Sequence, residues 1–233
     1  MLSIIIPIYN EAENLPSQLT FLQYKAEKFP IEIIISNSPN TTDNSPEICK
    51  KFSKIRFFEC DKSGRAFQMN FGASKARGDI LLFLHADIRL PNDFYKQIIH
   101  AIGNGFKMGF FSYKFDRNTF MLNLNSYFTK TDGLFAGAGD QCQFFAKATF
   151  KQLGGFNEDY CIMEDFEIMD KVRKRNIPYT IIQSNATVSA RKYDKGSWLK
   201  VNLTNGYVFL LYKLGVTPIK LRRIYKNLLR ESV

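Results

Sequence analysis

The sequence is short of the residues on which much protein chemistry is built. Among 233 residues there are two histidines, one tryptophan and four cysteines. Two histidines cannot furnish a His-rich zinc site, and the HExxH metalloprotease pattern is absent. Cys49, Cys60, Cys142 and Cys161 form no CxxC pair, and reduced thiols of a cytoplasmic protein are expected. Long apolar runs are missing too. The N-terminal run MLSIIIPI stops at Tyr9, without a basic leader or small-residue cleavage site. The longest later run, Tyr207 to Tyr212, is far below the ~20 residues of a membrane span. The first strand-to-helix turn, PIYNEAEN, lacks GxGxxG, and no GxxxxGK[ST] occurs, so the usual dinucleotide and P-loop modes are excluded. No internal repeat is visible.

Acidic residues are scarce at one end. From Arg191 to Val233 there are ten basic and two acidic residues, Asp194 and Glu231, a net of +8 out of the chain's +10. The first 190 residues are nearly neutral. Such an asymmetry bears on partners rather than on fold. The overall composition is otherwise that of a globular protein long enough to bury a sizeable core.

What is present is an alternation. Residues 2–8 are a continuous apolar run, as in a strand covered on both faces. Asn10 with Glu13 reads as a capping box, followed by Leu15, Leu19, Leu22 and Ala26 at helical spacing. Further strands are expected at 31–35, 55–59 and 79–84. The intervening helices begin at Ser45-Pro46 and Ser63-Gly64, and another follows Pro91. This order predicts a doubly wound, mostly parallel α/β sheet with ligands beyond the carboxyl ends of the strands. The second half is less regular. Strands are expected at 108–115, 141–146, 179–183 and 186–190. Helices are expected at 119–130 and 163–175, and two more over 197–230. The division expected is a domain over 1–190 with basic helices over 191–233 packed on it or extending it.

The strand ends collect reactive groups: Tyr9 and Glu11, Arg65, and His85-Ala86-Asp87. An aromatic, carboxylates and a cation suit a nucleotide. Each also has a plainer use, Tyr9 as a packing residue and Glu11 as a first-turn acid. Asp87 ends the buried run LLFL, where a carboxylate can hold Mg²⁺ or Mn²⁺ against phosphate oxygens, or cap the turn toward Pro91. Glu164-Asp165 opens a helix whose acids also include Glu167 and Asp170. Asp140 lies in the glycine-rich stretch DGLFAGAGD, and Arg191-Lys192 follows a strand.

Four runs carry a resemblance: SIIIPIYNEAENL, SGRAFQMNFGASKARGDILLFLHADIRLP, GDQCQFFAKATFKQLGGF and MEDFEIMDKVRK. In this order they resemble a family 2 glycosyltransferase of GT-A fold, Rossmann-like with a C-terminal helical appendage. SARKYDKGSW and LLYKLGVTPIKL match the end of a small bacterial subgroup. The resemblance implies inverting transfer of a sugar from a nucleotide-diphosphate sugar. HAD stands in the place of the family's DxD motif, so Asp87 would reach the donor phosphates through Mg²⁺ or Mn²⁺. Pro7, Tyr9, Glu11 and Ala86 would line the donor pocket, with Arg65 and Arg191 near the diphosphate. Asp165 would be the general base, with Asp140 and Glu164 on the acceptor side. A helix N-terminus is expected to lower the pKa of Asp165, leaving a weak base ionised at neutral pH unless its surroundings are apolar. Gln68 and Asn70 match the pattern without a role that the sequence supplies.

One departure stands out. The family's Asp-Gly-Ser-like turn after the second strand, whose Asp helps read the base, is here SNSPNTTDNS, with Ser36 and Asn37. Asp43 is the acid available to replace it, and uridine is the default base. Two rival functions share the crevice: a non-catalytic nucleotide-sugar or membrane-surface scaffold, and a nucleotidyltransferase releasing pyrophosphate. In the tail, Trp198, Tyr207, Phe209, Tyr212 and Tyr225 alternate with Lys and Arg. That pattern suits either an anionic membrane surface with a lipid-linked acceptor or a pair of helices packed on the domain with a solvated basic face; nucleic acid, for which no motif is present, suits it less. The resulting expectation is a cytoplasmic protein, peripheral at the inner face of the cell membrane.

Overall fold

The computed structural model describes residues 1–133, 135–193 and 197–229. Leu134 of the glycine-rich stretch, residues 194–196 of the SARKYDKGSW run and residues 230–233 lie outside the described residues.

Among the described residues the strands form one eight-stranded sheet. In chain order they are β1 (Leu2–Ile8), β2 (Ile31–Asn37), β3 (Ile55–Glu59), β4 (Ile80–Phe83), β5 (Ile88–Arg89), β6 (Met108–Phe115), β7 (Phe144–Ala146) and β8 (Tyr179–Val188). Their order across the sheet is β3-β2-β1-β4-β7-β6-β8-β5. The first four pair in parallel, as do β6 and β8, while β7 and β5 run antiparallel to their neighbours. β1 shows why its sequence is apolar but for Ser3, which is buried and donates to Glu32. Leu2, Ile4, Ile6 and Ile8 face one apolar layer, and Ile5 faces the other. A strand buried on both sides has no solvent face to mark with alternation.

The helices are α1 (Leu15–Lys28), α2 (Ser45–Lys50), α3 (Arg65–Lys75), α4 (Phe94–Gly103), α5 (Phe120–Phe128), α6 (Lys147–Gln152), α7 (Glu164–Lys174), α8 (Trp198–Lys213) and α9 (Pro218–Leu229). α1 buries Leu15, Leu19 and Leu22 and ends before Phe29, which is extended because Pro30 follows. α3 crosses close to the sheet at Gly72. A Cβ there would lie 2.5 Å from Ile5 Cγ2 and 2.7 Å from Ser36 Oγ.

Several sequence expectations shift. Asn10 does not cap a helix. It has φ of 53° and its Oδ1 accepts the Thr42 N–H at 2.8 Å, so α1 starts four residues after Glu11. The two strands expected over 179–190 are one, β8, ending at Val188. The strand expected from 141 begins only at Phe144, because Cys142 has left-handed φ of 51°. The two-residue β5 is too short to leave a periodic signal.

Gln68 and Asn70 gain roles. Gln68 Nε2 donates to the Ile8 carbonyl at 2.9 Å and the Ser36 carbonyl at 2.8 Å, tying together the ends of β1 and β2. Asn70 donates to the Phe156 carbonyl and accepts the Phe156 N–H, fixing the loop before α7. The four cysteines are free thiols, and burial pushes Cys49 and Cys60 up to about 12.

Candidate active site

The strand order changes side between β1 and β4, so the turns after these strands splay apart and open a crevice. Two groups of side chains occupy it.

The first gathers on α7. Its opening turn carries Glu164, Asp165 and Glu167, and burial separates their uses. Glu164 is 2% exposed, and its Oε1 lies 3.3 Å from Arg65 Nε. Asp165 is half-buried. One carboxylate oxygen accepts the Gly139 N–H and the other accepts the Phe166 N–H at 2.9 Å. Gly139 is where four elements meet. A Cβ there would stand 3.2 Å from His85 Nε2, 3.3 Å from Asp165 Oδ2 and 3.7 Å from Arg65 Nη1. The requirement for glycine is this close approach.

Electrostatics follow from the packing. Met69, Phe83 and Phe156 wall a narrow cavity beside His85, Glu164 and Asp165. Burial, and next the Glu164 charge, push Asp165 up to about 7, against Arg65 and the two N–H groups. The surroundings are the apolar ones under which lowering by the helix N-terminus is not expected to hold, and desolvation is the largest cause of the rise. His85 moves the other way. Burial and the Arg65 charge push it down to about 4, with Asp87 opposing. Its imidazole is neutral at neutral pH.

The second group lies at the mouth of β4. Asp87 is half-buried, and its Oδ2 meets Arg191 Nη2 at 3.1 Å. Glu11 is raised by burial, opposed by a hydrogen bond from Asn14 at 2.7 Å. Asp87 and Asp43 add to the rise, and Arg191 offsets it. Glu11, Asp87 and Arg191 thus share one electrostatic neighbourhood. Pro7 sits in β1 opposite Ser36, Tyr9 is exposed and Ala86 is buried. Asp140 is exposed on the 3-10 turn Gly139–Gln141, within electrostatic reach of Arg65.

Two residues differ from their expected surroundings. Glu164, expected on the acceptor side, is buried against Arg65. Arg65, expected near the diphosphate, stands beside Asp165 with its charge partly matched by Glu164. Gln143 was not singled out by the sequence. Its Nε2 donates to the carbonyls of Gly137 and, at 3.2 Å, Asp165, holding the loop to α7. Only its place just after GDQ hinted at this. Asp43 is a fastener: its oxygens accept the Ala12 N–H at 2.9 Å and the Ser45 N–H at 3.0 Å. Burial works against its charge, but these bonds and the Ser45 hydroxyl lower its pKa. Asn37 is likewise engaged, with Glu59 and Thr41.

Among the described residues, no three His, Cys, Asp or Glu side chains form a metal cage. Asp87, a hard carboxylate left partly open, fits an ion that takes its other ligands from phosphate and water.

The family 2 glycosyl transferase model matches residues 3–157, which include all of β1 but Leu2, α3 and the His85–Asp87 turn. The chain belongs to glycosyl transferase family 2. Curated relatives of this family 2 chain include the 4,4'-diaponeurosporenoate glycosyltransferase of Staphylococcus haemolyticus. It is 26% identical over 218 residues, covering 84% of this chain and 57% of the relative. The dolichol-phosphate mannosyltransferase of Pyrococcus furiosus is 28% identical over 106 residues, 44% of this chain and 30% of the relative. The family 2 chain spans between 14% and 57% of the length of the curated relatives it matches. Its GT-A fold is shared with solved structures. The mannosyltransferase PcManGT from Pyrobaculum calidifontis, in complex with GDP-Man and Mn²⁺, aligns with TM-score 0.68 and 17% identity, over 98% of this chain and 68% of that one. S. aureus TarS 1-349, in complex with UDP-GlcNAc, aligns with TM-score 0.64 and 16% identity, over 98% and 71%.

Proposed function

We propose that this chain is an inverting glycosyltransferase of the small bacterial subgroup marked by its HAD, GDQ, MED and SARRW-like runs. It transfers a sugar from a nucleotide-diphosphate donor to a hydroxyl acceptor. The observation that carries the reading is Asp165, a half-buried carboxylate raised to about 7 at the convergence of α7, the Gly139 turn and the His85 strand end. A general base works best with a pKa near the working pH. A weaker base would leave the acceptor hydroxyl un-ionised, and a stronger one would stay protonated.

In the proposed reaction Asp165 takes the proton of the acceptor hydroxyl as its oxygen bonds to the anomeric carbon. The bond from that carbon to the diphosphate oxygen breaks, and the electron pair leaves with the nucleoside diphosphate. One displacement inverts the anomeric centre. The Gly139 and Phe166 N–H groups hold the carboxylate in one orientation. His85, its basicity lowered by burial and the Arg65 charge, competes poorly with Asp165 for that proton. Pro7, Tyr9, Glu11 and Ala86 form the donor side of the crevice, and Asp140 borders the acceptor side. Asp87 would hold Mg²⁺ or Mn²⁺, which when bound offsets negative charge on the diphosphate. Arg191, paired with Asp87, would be the cation available to the leaving group. Arg65 offsets Glu164 and keeps the charge around Asp165 from rising further. The acceptor that best suits the basic C-terminal helices is lipid-linked.

A thermal-shift screen of nucleotide sugars with and without Mn²⁺ tests the donor site, since ligands of the native state raise its melting temperature. Release of nucleoside diphosphate from the stabilising donor, lost in Asp165→Asn, tests the chemistry. Absence of any shift with uridine, guanosine, adenosine, cytidine and thymidine diphosphate sugars would sink the reading. Pyrophosphate release from a nucleoside triphosphate would replace it with nucleotidyl transfer.

A further inference from the structure

α8 is apolar on both of its faces. Its inner face, Val208, Phe209 and Tyr212, packs on the domain with Leu221 of α9. Its outer face carries Leu199, Leu203, Tyr207, Leu210 and Leu214, spaced four, four, three and four residues apart, which is one stripe of a helix. Leu203 is 64% exposed and Leu210 55%. α5 repeats the pattern. Leu122 and Ser126 are buried, while Phe120, Leu124, Tyr127 and Phe128 point outward, with Phe120 at 78% and Phe128 at 63% exposed. The two helices are joined by Asn125 Nδ2, which donates to Asn202 Oδ1 at 3.1 Å. Two neighbouring helices thus turn large apolar side chains to solvent, far more than scattered single residues would explain.

We propose that the outer faces of α5 and α8 dock on an anionic lipid bilayer surface, lying in its interface rather than crossing it. Among the described residues no helix is long and apolar enough to cross. Charge selects the occupant. α5, α8 and α9 contain no Asp or Glu. Lys200 borders the α8 stripe on one side, and Lys213 on the other, held to Asp170. α9 adds Lys220, Arg222 and Arg223, all exposed, beside Ile219. A second copy of the chain meeting this face about a two-fold axis would set cation against cation. Lipid phosphates complement it, and each Lys or Arg near such a surface adds attraction. Tyr127 and Tyr207 have the apolar body and polar tip that suit the headgroup boundary.

The face is mechanically tied to the crevice. The ring of Phe209, on the inner side of α8, meets that of Phe166, the residue after Asp165, edge to face at 5.0 Å, and lies tilted 4.8 Å from that of Phe135 of the Gly139 loop. Tyr212 donates to Asp170 of α7 at 2.7 Å. A surface-bound α8 would therefore hold α7 and its base at a fixed height above the headgroups. That use, presenting a lipid-linked acceptor to Asp165, rests on the transferase reading; the docking does not.

The test is flotation of the purified full chain with phosphatidylcholine vesicles, with and without phosphatidylglycerol, in the absence of any donor. Wild type is expected to float with the anionic vesicles and to dissociate as salt is raised. Leu203→Ser with Leu210→Ser is expected to lower vesicle affinity at least about tenfold, and Phe120→Ser with Phe128→Ser similarly. Arg222→Glu with Arg223→Glu should abolish the preference for anionic lipid. All six positions are exposed, so an unchanged melting temperature shows that the fold is kept. The proposal is overturned if wild type ignores anionic vesicles, or if the apolar variants bind as wild type does. It is also overturned if wild type is a dimer that Leu203→Ser with Leu210→Ser dissociates, which gives the face to a second copy. Nucleotide-sugar thermal shifts on the same preparation report the transferase reading separately, so failure of one leaves the other readable.

Discussion

Asp87 and Arg191, 104 residues apart in sequence, meet as an ion pair at 3.1 Å at the mouth of the crevice. The side chain that suits a divalent ion is thus already satisfied by a cation of the chain. Arg191 is exposed and Asp87 only half-buried, so the pair is weak enough to exchange for ligands.

That exchange gives a first prediction. In Arg191→Ala, Asp87 loses its competitor, so Mn²⁺ alone should bind more tightly. Nucleoside diphosphate should bind more weakly, for want of a phosphate partner. Asp87→Asn should lose the Mn²⁺ effect on nucleotide binding altogether. Calorimetric titration of each ligand measures both, and parallel changes in Arg191→Ala would contradict the exchange.

The base makes a second prediction, about pH. Asp165 must be ionised to accept a proton, and its pKa is raised to about 7. Turnover should therefore rise as pH increases through about 7 and level off above it. Asp165→Asn should lower kcat roughly 10²–10⁴-fold with little change in donor affinity. A pH profile already flat at 5 would remove the raised carboxylate from the mechanism.

Glu164 provides the third. It contributes to the raised pKa of Asp165 by like-charge repulsion, so Glu164→Gln should move the midpoint of the pH profile downward. Arg65→Met leaves Glu164 buried without its partner. That should cost about 1–3 kcal/mol of stability, discounted because Arg65 itself is half-exposed. Urea denaturation measures this cost. An unaltered pH midpoint in Glu164→Gln would show that the two carboxylates do not communicate.

The fourth concerns Gly139→Ala. The added methyl would press on His85 Nε2 at 3.2 Å and Asp165 Oδ2 at 3.3 Å. Displacing the base by a few tenths of an ångström should lower kcat at least about tenfold, while the melting temperature stays within a few degrees. Full activity in Gly139→Ala would mean that the Gly139 contact with Asp165 is not required.

The parallel half of the fold was legible because its signals are local. Isoleucine runs and helical apolar spacing named β1, β2 and α1. α7 was legible from its acids. The outward stripes on α5 and α8 were not. A helix apolar on two faces reads like a buried one, and the sequence does not say which face meets the domain. The capping reading of Asn10 failed for a related reason: its partner, Thr42, lies on another loop.

By itself the sequence determined the family and the residues assembled at the crevice, because motif order and strand ends are properties of one chain read in sequence. Tertiary structure decided what those residues are. Asp165 and Glu164 are adjacent acids in the sequence. One is half-buried, bonded to Gly139 and raised toward neutrality, and the other is fully buried and paired with Arg65. Burial and the charges brought near by the fold set the protonation of each, and neither is written in the order of residues.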